Sequence, residues 1–220
     1  MITLFTSYLC NKEEPLVQTI LLKWKTLNPD FNILYFSDDD INKFFKETQY
    51  FDIYKEMKNG VAIADFFRIC YINKYGGFWF DLDLEPFKVK ISKEHNIQLF
   101  DCGFGNISYM FLGGMANQKL FNDVINQVIE NIKINIPNKH QNIVEITGPR
   151  VIQNILFKKM NIKNVNGNFK GPNKPALYLN GTDYEFYYSK LHMKGKLKSK
   201  IYLQLQKKYN KKNWTQYDFV

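Results

Sequence analysis

The chain has 220 residues, of which 45% are apolar and 16% aromatic. This composition excludes an intrinsically disordered protein, and the length favours a single domain over residues 1–220 rather than two full domains. Lys and Arg number 30 against 21 Asp and Glu, and the resulting net charge of +9 favours an anionic partner such as a phosphate group or an anionic lipid surface.

The three cysteines are widely spaced, and none lies in a Cys-x-x-Cys or Cys/His cluster; they are Cys10, Cys70 and Cys102. Their pattern predicts neither a disulfide framework nor a structural zinc site, and it fits a reducing compartment. The first residues lack the features of a signal peptide, and no apolar run reaches the roughly 18 residues that span a membrane. We therefore expect a soluble, cytoplasmic protein.

Strand-like and helix-like segments alternate through the first half of the chain, which is typical of an α/β fold. The predicted elements are a strand over 2–8, a helix over 14–27, a strand over 31–36, a helix over 41–45 and a buried helix over 59–75. Ser37 and the three aspartates after it offer N-cap side chains to the fourth element. Gly76 and Gly77 are expected to end the buried helix over 59–75.

The second half is predicted to continue with strands and two longer helices before a basic end. We expect strands over 78–80, 97–100 and 109–112, and helices over 119–132 and from 149 to about 159. Segment 161–184 is rich in turn residues. Segment 190–212 contains nine lysines and no acidic residue. Its Leu197, Ile201 and Leu205 have helical spacing and predict a basic amphipathic helix, either with a solvated face or in peripheral contact with an anionic membrane.

Asp81 and Asp83 follow the apolar strand 78–80 in the order Asp-Leu-Asp. If the strand continues through them, the two-residue period places both carboxylates on one side. Such a pair repels itself and favours a divalent cation, and Mg²⁺ or Mn²⁺ keeps open positions for waters or phosphate oxygens. Two solvated acids at a strand end would produce the same pattern, so this motif alone leaves both interpretations open.

Asp65 and Arg68 lie three residues apart and so share one face of a largely apolar helix. They could form an ion pair with each other, or Asp65 could accept hydrogen bonds from sugar hydroxyls while Arg68 binds a hydroxyl or phosphate oxygen. The sharp turn at Tyr75-Gly76-Gly77 is expected to bring the helix end and the acidic strand end together.

These two motifs together resemble the signature of a known family. The segments are Ala64-Asp65-Phe66-Phe67-Arg68 and the stretch from Lys74 through Asp81-Leu82-Asp83 to Pro86. They are similar to those of the DXD-containing sugar-binding glycosyltransferases, a group with the initiating α-1,6-mannosyltransferase, capsular polysaccharide glycosyltransferases and, distantly, the clostridial glucosylating toxins. Trp24, the stretch 28–31 and Thr147-Gly148-Pro149 give weaker support, although Trp24 itself fits a core position.

The resemblance implies a Rossmann-like glycosyltransferase A-type fold, with a mixed central sheet flanked by helices. It implies a nucleotide-sugar-binding half over 1–115, an acceptor-side half over 116–190 and a basic C-terminal segment over 191–220. The implied reaction transfers a sugar, with retention of configuration, from a UDP- or GDP-sugar donor to a glycan or other hydroxyl acceptor. The implied cofactor is Mn²⁺ or Mg²⁺.

The resemblance also implies roles for individual residues. Asp83 would bind the metal directly, and Asp81 would bind both the metal and the donor, which makes these two the catalytic pair. His192 is a further candidate metal ligand, in a stretch that matches the family's C-terminal motif only in part. The first strand lacks the His and Trp that usually contact the nucleotide, which leaves base recognition open. Candidate donor-binding residues are Asp65, Arg68, Gly77, Asp81 and Tyr109.

Two other functions compete with this interpretation. A haloacid-dehalogenase-type phosphatase also has two aspartates after an apolar strand, but its motif lies on the opening strand of the domain. A basic nucleic-acid-binding protein would explain the charge, but no helix-turn-helix, RNP-like strand or zinc module is evident. We therefore expect no nucleic-acid partner.

Overall fold

The structure is a computed structural model, and it describes residues 1–92, 94–101, 106–138, 142–160, 176–179, 184–190 and 199–209. The strands are β1 (Ile2–Ser7), β2 (Phe31–Phe36), β3 (Gly77–Phe80), β4 (Ile97–Asp101), β5 (Ile107–Gly114), β6 (Ala176–Leu179) and β7 (Glu185–Lys190). The helices are α1 (Pro15–Leu27), α2 (Asp38–Lys46), α3 (Phe51–Glu56), α4 (Gly60–Tyr75), α5 (Lys119–Asn138), α6 (Ile143–Ile146), α7 (Pro149–Met160) and α8 (Lys200–Lys208).

Within the described residues the strands form one mixed sheet in the order β2-β1-β3-β5-β4-β7-β6. Strands β2, β1 and β3 are parallel to one another, and β5 is antiparallel to both β3 and β4. Strand β7 is parallel to β4, and β6 closes the edge antiparallel to β7. Helices flank this sheet, so the predicted α/β fold with a mixed central sheet is confirmed.

The two faces of the sheet support two separate cores. Phe5 and Trp79 lie on the face covered by the helices from α2 to α7. Phe78 and Phe80 lie on the opposite face, which α1 and α8 cover. Trp24 of α1 is fully buried there with its ring 4.2 Å from that of Phe80, which confirms it as a core residue.

Most of the predicted elements are present, with shifted ends. The N-cap prediction is confirmed, because Ser37 accepts a hydrogen bond from the Asp40 N–H and the Asp40 carboxylate accepts one from the Ser37 N–H. The sequence pattern does not predict α3, α6, β6 or β7, each of which is six residues or fewer. Such short elements carry too few residues to show a period.

Cys10 and Cys70 are free and buried. Among the described residues, no helix combines the length and the apolar character needed to cross a membrane.

Candidate functional site

The Asp81-Leu82-Asp83 segment forms a turn, which corrects the expectation that the strand continues through both aspartates. Strand β3 ends at Phe80, and the Asp81 N–H still donates to the Met110 carbonyl at 2.8 Å. The Leu84 N–H then donates to the Asp81 carbonyl at 3.0 Å, which closes a turn over 81–84. Leu82 and Leu84 are buried while both aspartates are partly exposed, so the alternation of burial is retained without strand geometry.

Arg68 lies at the centre of the site. Its Nη2 is 3.1 Å from Asp65 Oδ1, and its Nη1 is 3.2 Å from Asp81 Oδ1. Nη1 also donates to the Tyr109 carbonyl at 2.6 Å, and Nε donates to the Ala64 carbonyl. The guanidinium stacks 4.3 Å above the Trp79 ring. Arg68 is 5% exposed. The ion pair with Asp65, one of the two roles that the sequence leaves open, is therefore present, and it extends to the DXD turn.

Burial dominates the electrostatics of Asp65. Burial raises the pKa of this carboxyl to about 6. The positive charge of Arg68 lowers the pKa in part, and the neighbouring negative charge of Asp81 raises it further. The Thr147 hydroxyl donates to Asp65 Oδ2 at 3.3 Å. Asp65 therefore takes up a proton more readily than an exposed aspartate does.

Asp81 is held on one oxygen only. Trp79 Nε1 donates to Oδ1 at 2.6 Å, and Arg68 contacts the same atom. Oδ2 accepts no hydrogen bond from a described residue, and the side chain is 27% exposed. The contacts with Trp79 and with Arg68 of α4 place the Asp81 carboxylate on the side of the sheet that α4 covers. One carboxylate oxygen thus remains available for a ligand.

Helix α8 packs beside the acidic turn, which the sequence does not predict. The Ser199 N–H donates to the Asp83 carbonyl at 2.8 Å, and Ser199 Oγ caps α8 by accepting from the Ile201 N–H. Tyr202 of this helix lies against Tyr8, with ring centroids 5.7 Å apart. The pKa of Tyr202 is raised, mainly by burial. Smaller contributions come from Tyr8 and from the carboxylates of Asp83 and Asp81. Tyr8 and Tyr202 therefore form an aromatic pair next to the DXD turn.

The far end of α8 is tied to the residue that precedes α1. Lys208 Nζ contacts both oxygens of the Glu14 carboxylate at 2.9 and 2.7 Å, and the Tyr209 hydroxyl donates to Glu14 Oε2 at 2.9 Å. The Lys208 and Tyr209 hydrogen bonds lower the pKa of Glu14. The hydrogen bond to Glu14, together with burial and the nearby Cys10, raises the pKa of Tyr209 to about 12. The spacing of Ile201 and Leu205 predicts this helix, whereas Leu197, the third residue of the predicted apolar row, lies outside the described residues. The sequence does not predict the partner of Lys208, which lies 194 residues away.

The structure brings together most, but not all, of the residues singled out from the sequence. Tyr109 is buried beside Arg68, and its main-chain carbonyl accepts a hydrogen bond from Arg68 Nη1. Gly77 begins β3, so it lies at the opposite end of that strand from Asp81. Its φ of +108° and the 2.9 Å between a built Cβ and the Thr3 carbonyl show why glycine occupies this position. His192 lies outside the described residues.

The orientation of α4 also corrects one expectation. Gly76 and Gly77 join the C-terminal end of α4 to the start of β3. The two elements are therefore antiparallel, and it is Asp65 and Arg68, in the first nine residues of the helix, that reach the acidic end of the strand.

Among the described residues, no group of three or more His, Cys, Asp or Glu side chains could hold a metal ion. Asp81 and Asp83 supply two carboxylates, so a cation bound there would need further oxygen ligands from water or substrate.

Comparison with known proteins supports the resemblance. Residues 15–98 match the model of the family described as glycosyltransferase sugar-binding region containing DXD motif, and this range includes Asp65, Arg68, Asp81 and Asp83. No curated protein matches the chain significantly. A solved structure titled PaToxG Glycosyltransferase aligns with 73% of this chain and 69% of its own, at 15% identity and a TM-score of 0.49. No residue role follows from a likeness at that level.

Proposed function

We propose that this chain is a glycosyltransferase that uses a divalent cation and a UDP- or GDP-sugar donor. The match of residues 15–98 to the model of the DXD-containing sugar-binding region supports this proposal. The sugar is transferred, with retention, to a hydroxyl group of a glycan or other acceptor. The observation that carries the proposal is the Asp65–Arg68–Asp81 cluster beside the turn 81–84, with Asp81 Oδ2 open to a ligand.

The charges of the cluster and of the neighbouring Asp83 fit a divalent cation. Arg68 and the three aspartates, Asp65, Asp81 and Asp83, together carry a formal charge of −2 when all are ionised. Carboxylate oxygens are ligands that Mg²⁺ and Mn²⁺ prefer, and these ions fill their other positions with water and phosphate oxygens. In this proposal Asp83 and the free oxygen of Asp81 hold the ion. When bound, it would offset the negative charge that develops on the departing nucleoside diphosphate.

Arg68 is assigned a positioning role. Its Nε, Nη1 and Nη2 all contact protein oxygens, and the side chain is almost completely buried. It therefore orients Asp65 and Asp81 rather than binding the donor directly. Asp65 accepts from Thr147 and Arg68, and its oxygens keep acceptor capacity for a hydroxyl of the donor sugar.

Tyr8 and Tyr202 supply an aromatic surface beside Asp83. A flat ring packs well on such a surface, and the base of a nucleotide and the apolar face of a sugar both qualify. The pair thus supports a donor that carries a ring next to its diphosphate.

The test is the release of nucleoside diphosphate from a panel of UDP- and GDP-sugars, in Mn²⁺ and again in EDTA. The proposal expects release from one donor that stops when the metal is chelated. Release that continues unchanged in EDTA would contradict the metal requirement. Hydrolysis of a simple phosphate monoester, without any release from nucleotide sugars, would indicate a phosphatase instead.

A further inference from the structure

A groove of about 410 Å³ lies between α5, α6 and α7, on elements that contribute none of the DXD residues. Its volume falls within the range of about 300–1,000 Å³ that is typical of small-molecule sites. Half of its ten lining residues carry side-chain amides. They belong to Gln127, Asn131, Asn135, Asn142 and Asn154.

Three of the amides form an ordered row along α5, because their spacing of four residues places them on one helix face. Gln127 Nε2 donates to Asn131 Oδ1 at 3.0 Å, and Asn135 Nδ2 donates to the Asn131 carbonyl at 2.7 Å. Asn131 Nδ2 in turn donates to the carbonyls of Glu145 and Ile146, at the end of α6. The row is therefore preorganised.

This network uses the NH₂ groups of the row and leaves its outer carbonyl oxygens for a ligand. Neither Gln127 Oε1 nor Asn135 Oδ1 accepts a hydrogen bond from a described residue, since the bonds of these two amides are made by their NH₂ groups. These oxygens accept hydrogen bonds, so they select a ligand rich in donors. Asn154, exposed on α7, adds an amide that both donates and accepts.

The net charge and the apolar residues of the groove further restrict the class of ligand that fits it. Glu145 and Lys158 are its charged residues and cancel each other, whereas the whole chain carries +9. Ile146, Val151 and Ile155 supply apolar surface between the polar groups. A neutral molecule with many hydroxyls and apolar C–H faces matches this lining, and that description fits a carbohydrate.

The groove is linked to the candidate donor site through one buried residue. Ile146 lines the groove, and the next residue, Thr147, is buried and donates to Asp65. We propose that the groove binds a neutral oligosaccharide. The binding does not depend on the proposed function. The further statement that this oligosaccharide is the acceptor, and that the groove holds a part of it distant from the reacting hydroxyl, rests on the proposed function.

The test uses the full chain on an array of short neutral gluco-, manno- and galacto-oligosaccharides with sulfated and sialylated counterparts, without nucleotide sugar or metal. The strongest hit is then titrated with the wild type and with the Gln127→Ala/Asn154→Ala variant. Losing two hydrogen bonds is expected to weaken binding about tenfold or more. Both positions lie in helices, where alanine is favoured, so the variant is expected to fold.

Asn126→Ala is the matched control, since Asn126 is an exposed asparagine of the same helix outside the groove. It should bind the oligosaccharide as the wild type does. Asp83→Ala should also bind it unchanged, which would show that binding in the groove does not depend on the donor site. Asn154→Ala alone should weaken binding about threefold. The proposal is overturned if no neutral oligosaccharide binds, if only anionic ones bind, or if the double variant binds like the wild type.

Discussion

Arg68 lies between two carboxylates, with Nη2 3.1 Å from Asp65 Oδ1 and Nη1 3.2 Å from Asp81 Oδ1. The first contact is local to α4, whereas the second crosses to the end of β3. A single guanidinium therefore joins the buried helix to the DXD turn. Because Asp65 and Arg68 are both almost completely buried, this bridge holds the site in one geometry.

Replacing Arg68 should destabilise the chain strongly. Arg68→Met leaves the buried Asp65 carboxylate without its cation, and breaking a buried pair in this way costs about 3–5 kcal/mol. Urea unfolding measures the loss. Lys55→Met is a matched control, since Lys55 pairs with Asp52 at the same three-residue spacing but on the surface. An exposed pair contributes about 0.2–1 kcal/mol, so equal losses in the two variants would contradict the bridge.

The stability of the chain should carry a pH-dependent contribution from Asp65. Burial raises its pKa from 3.8 to about 6, so the folded state holds this proton more tightly than the unfolded state does. The contribution therefore stabilises the fold at low pH and is lost as the pH rises from about 4 to 6. In urea unfolding from pH 4 to 7, the stability of Asp65→Asn relative to the wild type should rise by on the order of 3 kcal/mol. A constant difference would refute the shifted pKa.

The sequence predicts those parts of the fold that depend on neighbouring residues. β2 is predicted with the bounds observed, and the capping role of Ser37 follows from the aspartates next to it. The three-residue spacing likewise places Asp65 and Arg68 on one helix face, where an ion pair is one of the two roles expected of them. In each case the interacting residues lie within one turn of a helix or one strand.

The rest of the site depends on contacts between distant segments. The contact of Arg68 with Asp81 follows from the antiparallel packing of α4 against β3, which no local period encodes. The turn after Phe80 depends on the pairing of Asp81 with Met110 of β5. The approach of Tyr202 to Asp83 depends on where α8 docks. These relationships become visible only when the chain is folded.

Asp83→Ala should abolish turnover and leave the fold intact. The proposal gives this carboxylate a direct role at the metal, and losing one such electrostatic contact lowers kcat by at least about a hundredfold. The side chain is partly exposed, so the thermal midpoint should change little. Release of nucleoside diphosphate and the melting curve are measured on the same preparation. Asp52→Ala, at an exposed aspartate of α3, should keep wild-type activity, and retained activity in Asp83→Ala would refute the metal role.

Glu14→Gln should loosen α8 from α1. The Glu14 carboxylate is buried and accepts hydrogen bonds from Lys208 and Tyr209, and a neutral amide cannot replace its charge. Hydrogen–deuterium exchange should therefore be faster at the amides of α8, with little change in α4. The lowered pKa of Glu14 implies the same loosening in the wild type as the pH falls through that pKa. Glu13→Gln, at the exposed neighbouring glutamate, should leave exchange in α8 unchanged. Equal exchange in the two variants would show that this contact does not hold the helix.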